Sequence, residues 1–305
     1  MLKIKKKAVI TRLDLKVGYA CNNDCLFCVT ADKRKFGQDT TTKLKDKLTQ
    51  AFKEGKKEVV FTGGECLIRP DIIEIVSFAH KLGYVTIQIQ SNGRKFAAVK
   101  FCCKLQNAGM TEAGISIHGH NAKIHDFLTS RRGSWRQTVL GINNLKKIKT
   151  KVLTNSVITK QNFKYLPQLS ELLIKLKVDM IQFAFIHING NAMVNYKKIV
   201  PKMTQIMPSL KIAIDLCREA SVRAVVEAVP LCVLGDYKGY AAEFFVPAVE
   251  VHEIYQNIKD FQSIRRNKAK TKFSKCHTCK LNDQCEGTWR EYSELFGDKE
   301  FKPVC

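Results

Sequence analysis

Two groups of cysteines carry the clearest chemical signal in the sequence. Cys21, Cys25 and Cys28 lie within eight residues, in the order Cys-x3-Cys-x2-Cys. Thiolates are soft ligands that suit iron–sulfur clusters. Three of them can bind three irons of a four-iron cubane and leave the fourth iron open to a ligand from outside the protein. A structural zinc site is the alternative, but it requires four ligands, and no nearby residue supplies the fourth.

The second group stands near the end of the chain. Its spacing is Cys-x2-Cys-x5-Cys, and three cysteines within ten residues are rarely plain packing, so we predict metal ligands. Cys232 and Cys305 are the two candidates for a fourth ligand, and Cys232 is favoured because a loop entering this segment can fold back onto its end. Zinc, bound by the same thiolates or by His277, is the alternative to an iron–sulfur cluster. The three cysteines are Cys276, Cys279 and Cys285.

The charge of the chain is strongly basic. It has 51 Lys and Arg against 28 Asp and Glu, a formal net charge of +23. Such a balance attracts polyanions such as RNA, or an acidic peptide. Lysine supplies most of the excess, as on an ordinary solvated surface, and no basic motif with interleaved aromatic residues is visible. RNA is therefore the less favoured partner.

The cellular compartment follows from the cysteines and the N-terminus. The twelve cysteines in 305 residues point to metal ligands and reduced thiols, because the sequence begins with no export signal. The segment 1–10 is basic, and the apolar stretch after it is too short for a signal peptide. No apolar run approaches the ~20 residues that span a bilayer. We expect a cytoplasmic protein that does not enter a membrane.

Short apolar runs alternate with helix-length segments between residues 11 and 228. This alternation predicts a parallel sheet covered by helices. About six such units fit, too few for an eight-fold barrel, so we predict an open or partial (β/α)6 barrel over residues 1–230. Residues 231–305 are expected to form a small cysteine-rich extension, irregular up to residue 275. The predicted strands are 13–19, 58–62, 84–90, 113–118, 152–158, 180–188 and 222–229.

The first cysteine group resembles the signature of the radical S-adenosylmethionine (SAM) superfamily. Its position after the first strand and the aromatic Phe27 before Cys28 carry this resemblance. The resemblance implies a [4Fe–4S] cluster on the three cysteines, with SAM chelating the open iron. It also implies reductive cleavage of SAM to a 5′-deoxyadenosyl radical, which abstracts hydrogen from a substrate. The electron donor would be a flavodoxin or a ferredoxin.

Further motifs resemble the family at the expected places. Gly63-Gly64-Glu65 closes the second strand and is similar to the Gly-Gly-Glu motif that holds the SAM amino group. Glycines let the backbone approach a ligand, and a carboxylate can receive an ammonium group. Cys66, where many relatives have proline, is expected only to pack. The other SAM contacts that the resemblance implies are Ser91, Asn92, Ser116, Arg131 and Asn155.

Arg131 is assigned to the SAM carboxylate, for which a guanidinium fork is well suited. Arg132 is the alternative. His187 and Asn189 end a strand on the side of the SAM motifs and are predicted substrate contacts, because ligands gather at the carboxyl ends of parallel strands. No residue is assigned as a catalytic acid, base or nucleophile. Cysteines and histidines expected only to pack or to form hydrogen bonds are Cys102, Cys103, Cys217, His118, His120 and His125.

The C-terminal extension resembles the SPASM or twitch extensions of radical SAM enzymes. A full SPASM pattern carries seven cysteines, so the resemblance implies one auxiliary [4Fe–4S] cluster here. Peptide or protein modification is the favoured activity. Cofactor or metabolite biosynthesis on a small molecule is the alternative, followed by RNA modification. A metal-binding protein without catalysis is the remaining interpretation, and it would require all the motif matches to be coincidental.

Overall fold

The computed structural model describes residues 11–245 and 247–305, so the basic segment 1–10 lies outside the described residues. Its centre is a nine-stranded sheet in the order β7-β6-β5-β4-β3-β2-β1-β8-β9. The strands are β1 (Arg12–Lys16), β2 (Glu58–Thr62), β3 (Thr86–Ser91), β4 (Glu112–Ser116), β5 (Lys151–Ile158), β6 (Met180–Phe185), β7 (Arg223–Glu227), β8 (Val249–His252) and β9 (Asn257–Ile258).

Helices connect the strands and cover one face of the sheet. Leu13 and Leu15 of β1 are fully buried, whereas the alternating Asp14 lines the cavity on the other face. This alternation follows from the two-residue period of a strand. The helices are α1 (Thr41–Lys53), α2 (Ile72–Leu82), α3 (Val99–Asn107), α4 (Ala122–Thr129), α5 (Ser134–Lys147), α6 (Leu166–Lys175), α7 (Asn191–Ile199), α8 (Met203–Glu219), α9 (Leu231–Leu234), α10 (Phe261–Ile264) and α11 (Arg290–Phe296).

The predicted partial barrel is confirmed. Strands β1 to β7 are parallel and adjacent in chain order, so six crossovers join them. Each of the seven strands begins within two or three residues of its predicted start. The starts were predictable because the apolar residues of each strand alternate or cluster between turn signals. Thr40 begins α1 as an N-cap, since its side chain accepts a hydrogen bond from the Lys43 N–H.

The C-terminal extension adds strands to the barrel sheet. β8 pairs in parallel with β1, and β9 pairs with β8 in the antiparallel sense. On the opposite edge, Ala241 forms a parallel bridge with Val226 of β7. The segment between these contacts therefore crosses the open seam of the barrel. We predicted residues 231–275 to be irregular, and β8 and β9 correct this prediction. The domain boundary at residue 230 stays a prediction.

The second cysteine group lies beside a small hairpin of β10 (Lys270–Thr271) and β11 (Thr288–Trp289). A fully buried lysine, Lys270, joins this hairpin to Glu286 at 2.6 Å. Buried charges need such partners because burial removes their hydration. Within residues 11–245 and 247–305, no helix is both long and apolar enough to cross a membrane.

Candidate active site

The cysteine loop that follows β1 is held from two sides by the backbone. The Asp24 and Leu26 N–H groups donate to the carbonyls of Thr129 and Leu128, at 3.0 and 2.9 Å. From the other side, Asn191 at the start of α7 donates its backbone N–H to the Cys28 carbonyl at 2.9 Å. The ends of α4 and α7 therefore fix the shape of the loop.

The three thiols of this loop lie close enough to influence one another. Burial raises the pKa of Cys25, and the charges of Cys28 and Cys21 raise it further. Burial is also the main cause of the raised pKa of Cys21. The Asn23 N–H donates to the Cys21 sulfur at 3.4 Å. Three neighbouring thiolates that destabilise one another favour a cationic iron cluster, so this donor set fits a [4Fe–4S] cluster.

A single metal ion would need a tighter arrangement. Among the residues that the structure describes, no three His, Cys, Asp or Glu side chains are placed to hold one ion together. Thiolates on one zinc ion all lie about 2.3 Å from the same point. The thiolates of a cubane bind separate irons and stand farther apart.

The two glycines after β2 allow close contact with the chain that enters the cysteine loop. A Cβ atom on Gly63 would lie 2.1 Å from the Gly18 carbonyl oxygen, and Gly63 has a positive φ of 124°. A Cβ atom on Gly64 would lie 2.3 Å from the Ala20 carbonyl oxygen. Both glycines were predicted to allow close approach of SAM; the structure adds a packing requirement against the cysteine loop.

Replacing Gly64 with alanine should displace the cysteine loop, because the new methyl group overlaps two backbone carbonyls. We expect the free energy of unfolding to fall by about 1–3 kcal/mol, as for overpacked sites, and iron incorporation at the first site to decrease. Gly239→Ala is the matched control, since a Cβ atom there meets nothing within 4 Å. Equal iron content in the two variants would contradict this packing role.

Glu65 connects the end of β2 to the end of β3. Its carboxylate accepts hydrogen bonds from the Ser91 hydroxyl at 2.8 Å, the Asn92 N–H at 2.7 Å and the Leu67 N–H at 3.2 Å. The residue is only 1% exposed, and burial raises the pKa of its carboxyl. Both carboxylate oxygens therefore have partners within the protein. The predicted contact of this carboxylate with the SAM ammonium stays a prediction.

Asn92 links the same cluster of residues to the cysteine loop. Its side-chain amide donates to Asn22 Oδ1 at 2.6 Å and lies 4.0 Å from the Cys21 sulfur. The structure thus brings together five of the eight predicted SAM-binding residues, next to Cys21. The five residues are Gly63, Gly64, Glu65, Ser91 and Asn92.

The interior of the barrel contains a cavity of about 570 Å³. Ser116 and Asn155 are register partners on β4 and β5, and both line it. The Asn155 Oδ1 atom is buried and has no hydrogen-bond partner among the described residues. Buried polar atoms are normally paired, so this orphaned oxygen fits a polar ligand. At the strand starts, ion pairs join Arg12 to Glu58 and Lys151 to Glu112, at 2.6 and 2.8 Å.

The predicted arginine of the SAM site is not brought to this cavity. Arg131 and Arg132 are exposed, and neither is among the described residues that line it. Arg94 was not predicted at this site, and it holds the cysteine loop, since its guanidinium donates to the Asn22 carbonyl at 2.6 Å and to Asn23 Oδ1 at 2.9 Å. Its position directly after the Ser-Asn-Gly turn was the available signal.

His187 reaches the extension. Its ring stacks on Trp289, with the ring centroids 4.0 Å apart and an interplanar angle of 10°. His187 Nε2 also lies 3.5 Å from the Glu291 carboxylate. Neither His187 nor Asn189 is among the described residues lining the barrel cavity, so their contact with substrate stays a prediction.

The remaining histidines and cysteines that were expected to be structural are mostly enclosed. His118 and His125 stack at 5.7 Å, and burial lowers the pKa of His125 to about 4. Cys66 is 1% exposed and donates its thiol to the Gln90 carbonyl at 3.3 Å, in agreement with the packing role predicted for it.

Four cysteines line one cavity in the extension. Cys232 shares this cavity with the other three. Burial, and then the charges of the three neighbouring thiols, raise the pKa of the Cys232 thiol to about 11. Cys305 is exposed and is not among the described residues lining the cavity, although the neighbouring Val304 N–H donates to the Cys279 sulfur at 3.3 Å. The four lining cysteines are Cys232, Cys276, Cys279 and Cys285.

A sequence profile of the Radical SAM superfamily matches residues 15–173, which include the cysteine loop and the Gly-Gly-Glu motif. This chain belongs to the radical SAM superfamily. It is therefore a radical SAM enzyme, and membership implies a [4Fe–4S] cluster and SAM as cofactors. The matched segment contains all the strands from β2 to β5 and ends in α6.

Curated relatives match this radical SAM chain in part. An AdoMet-dependent heme synthase of Methanosarcina barkeri is 29% identical over 154 residues, 50% of this chain and 44% of the relative. The PqqA peptide cyclase of Rhodopseudomonas palustris is 26% identical over 198 residues, 63% of this chain and 51% of the relative. The alignments thus span about half the length of these relatives.

Solved structures resemble this chain beyond the superfamily segment. Streptococcus suis SuiB bound to S-adenosylmethionine gives a TM-score of 0.71 at 18% identity, covering 97% of this chain and 76% of that one. The anSMEcpe structure with bound AdoMet and Kp18Cys peptide gives 0.67 at 16% identity, covering 96% and 92%. The likeness concerns the fold, and it extends over the C-terminal extension.

Proposed function

We propose that this radical SAM enzyme modifies a peptide or a protein, and that its extension holds an auxiliary [4Fe–4S] cluster. The observation that carries the proposal is the common cavity lined by Cys232 and the C-terminal cysteine group. Four thiols around one cavity are a complete ligand set for such a cluster. The fold likeness to SuiB, which has been solved with its precursor peptide SuiA, and the similarity to a PqqA peptide cyclase support the peptide class.

In this proposal, Cys21, Cys25 and Cys28 hold the cluster that supplies the electron for SAM cleavage. The chain itself positions the parts. Glu65 ties the ends of β2 and β3 together, and Asn92 extends this tie to the cysteine loop. In this proposal, the same hydrogen bonds let Glu65 orient the backbone beside the SAM amino group.

The cavity also suits a peptide in its hydrogen-bonding groups. Gln88, Gln90, Asn155 and Gln182 line it from three strands. A carboxamide carries donors and an acceptor, which match the two polar groups of a peptide bond, and Asn155 Oδ1 has no partner among the described residues and can accept from a ligand. Gln182 uses its amide to donate to Glu227 at 2.6 Å.

A small-molecule substrate is the second candidate, and the heme synthase relatives favour it. The cavity of about 570 Å³ also falls within the size range of ordinary ligand pockets. RNA modification is the third candidate and rests on the net charge of +23. Localisation in the cytoplasm is part of the proposal, since reduced thiols are needed at both cysteine groups.

The test measures 5′-deoxyadenosine released from SAM by the anaerobically reconstituted protein with dithionite. Fractions of source-cell extract containing peptides, small molecules or RNA are added separately. We expect the peptide fraction to increase the release of 5′-deoxyadenosine, and we expect a peptide in that fraction to change in mass. Stimulation by the small-molecule or RNA fraction alone would overturn the peptide class. No 5′-deoxyadenosine from a fully iron-loaded protein would overturn the catalytic assignment itself.

A further inference from the structure

Arg265 belongs to the C-terminal extension, and it lines the barrel cavity together with residues of the barrel strands. The residue is only 5% exposed. Its Nε atom has no hydrogen-bond partner within residues 11–245 and 247–305. A buried donor without a partner is costly, because it has lost its hydration and gained no hydrogen bond in return. The Nε–H group therefore indicates a ligand that supplies the missing acceptor.

The other two nitrogens of the Arg265 guanidinium already face carboxylates. Nη2 lies 2.7 Å from Glu286, and Nη1 lies 3.4 Å from Glu227. Glu286 is shared with the fully buried Lys270 at 2.6 Å, and Lys270 also lies 3.6 Å from Glu243. Three carboxylates thus face two cations in this buried group. The positive charge of Arg265 is therefore compensated by the protein and leaves no surplus for a further anion.

The walls of the barrel cavity are balanced in charge as well. The described residues that line it include four basic and four acidic ones. Two of the oppositely charged pairs, Arg12 with Glu58 and Lys151 with Glu112, are joined at 2.6 and 2.8 Å. A charged ligand group would lose its hydration here without finding a free counter-charge. The cavity therefore favours an uncharged polar ligand.

A row of polar side chains leads from Arg265 toward Asn155, which is a predicted SAM contact. Glu227, the partner of Arg265, accepts a hydrogen bond from Gln182 at 2.6 Å. Gln182 is in turn the register partner of Asn155 on the next strand. Glu227 thus stands two strands from Asn155, which corresponds to ~10 Å across the sheet. A ligand group held by Arg265 is therefore near enough to Asn155 to belong to a substrate that reaches the predicted SAM site.

We propose that Arg265 anchors the substrate in the barrel cavity by donating its Nε–H to an uncharged carbonyl oxygen of a peptide backbone. This inference rests on the proposed peptide modification and deepens it, because it names what the extension contributes to substrate binding. A hydrogen bond to a main-chain carbonyl gives affinity that does not depend on the side chain of that residue. Arg265 thus selects a neutral peptide segment and disfavours a carboxylate at the same place.

Two probes that differ by one charge test this specificity on the unmodified protein. Acetyl-trialanine amide is uncharged, whereas acetyl-trialanine ends in a carboxylate, and neither probe carries a functional side chain. Their dissociation constants for the reconstituted, SAM-loaded protein are measured by anaerobic equilibrium dialysis. We expect the amide to bind about tenfold more tightly than the carboxylate, because the cavity offers no free counter-charge.

The variant Arg265→Lys tests the residue itself. Lysine keeps a positive charge for Glu227 and Glu286 but has no Nε–H group, so we expect the amide probe to bind about tenfold more weakly. Arg266→Lys is the matched control, since Arg266 is the exposed neighbour and its guanidinium donates to the Asp283 carbonyl. The control should bind the amide probe as the unmodified protein does. Circular dichroism and iron content report whether each variant folds, and the comparison of the two probes needs no variant.

Three results would overturn the proposal. Tighter binding of the carboxylate probe would make Arg265 an anion site. Equal affinity of the folded Arg265→Lys variant and the unmodified protein for the amide probe would mean that water satisfies the Nε–H. No measurable binding of either probe would show that main-chain groups alone are not recognised. If a peptide in the source-cell fraction still changes in mass, the proposed function stands while this inference fails, so the two failures are distinguishable.

Discussion

Replacing Cys25 with alanine should abolish the release of 5′-deoxyadenosine and remove the iron of the first site. The burial of the Cys25 thiol raises its pKa, so a thiolate at this place needs a cationic partner. Asn191 donates its side-chain amide to the Cys25 carbonyl at 3.0 Å, which holds the residue toward the other two ligands. Two thiolates and an alanine cannot hold three irons, so the SAM-binding cluster should not persist.

Iron analysis and chromatography of the products measure this effect. The iron content should fall from about eight to about four atoms per chain, since only the auxiliary [4Fe–4S] cluster would remain. Cys103→Ala is the control, because Cys103 lies in α3, outside both cysteine groups. A Cys25 variant that still releases 5′-deoxyadenosine would contradict the assignment of three cysteine ligands to the first cluster.

The barrel strands were predictable because each is short, apolar and bounded by turn residues. The cysteine loop and the Gly-Gly-Glu motif were predictable because their ligands are close in sequence. The role of Gly64 could be foreseen only in part. Its contact with the Ala20 carbonyl joins residues that are distant in sequence, and no local pattern reports a distant backbone.

The exposure of Arg131 and the existence of β8 could not be predicted from local sequence. The guanidinium type suits a SAM carboxylate, and the loop that carries Arg131 leaves it exposed, so its contact with SAM stays a prediction. Whether a loop residue points into a cavity is decided by tertiary packing and not by residue type. β8 has only four residues, and its parallel partner β1 lies more than 200 residues earlier. Such a short run carries almost no period-two signal.

The extension is tied to the barrel through buried charges as well as strands. Arg265 is 5% exposed and pairs with Glu286 at 2.7 Å, next to Cys285, and with Glu227 of β7 at 3.4 Å. Glu227 in turn accepts the hydrogen bond from Gln182 in the barrel cavity. This chain of contacts connects the region of the C-terminal cysteines to the barrel cavity. A change at one of them can therefore alter the position of polar groups in the other.

His187 and Trp289 make a second connection of the same kind. The loop after β6 contacts the cysteine loop through Asn191 and the extension through the stacked His187 ring. The same short segment thus lies against the first metal site and packs beside β11, which follows Cys285. Cys28 and Cys276, the nearest ends of the two cysteine groups, are 248 residues apart in sequence, yet one loop touches both regions.

Replacing Cys232 with alanine should remove the auxiliary cluster and leave the first cluster intact. The Cys232 thiol shares its cavity with the three C-terminal thiols, and their charges raise its pKa after burial does. Thiols that disfavour one another in this way are stabilised when iron binds them. The iron content should therefore fall from about eight to about four atoms per chain, while basal cleavage of SAM by dithionite continues.

Cys305→Ala is the matched control for the fourth ligand. Cys305 is exposed, and it is the neighbouring Val304 N–H that reaches the Cys279 sulfur, at 3.3 Å. The backbone contact survives the substitution, so the Cys305 variant should keep all its iron. If instead the Cys305 variant loses four irons and the Cys232 variant keeps them, the C-terminal cysteine is the ligand. If the Cys232 variant keeps all its iron, Cys232 does not bind metal. A loss of modified product in that variant would then mean that Cys232 packs against the substrate path.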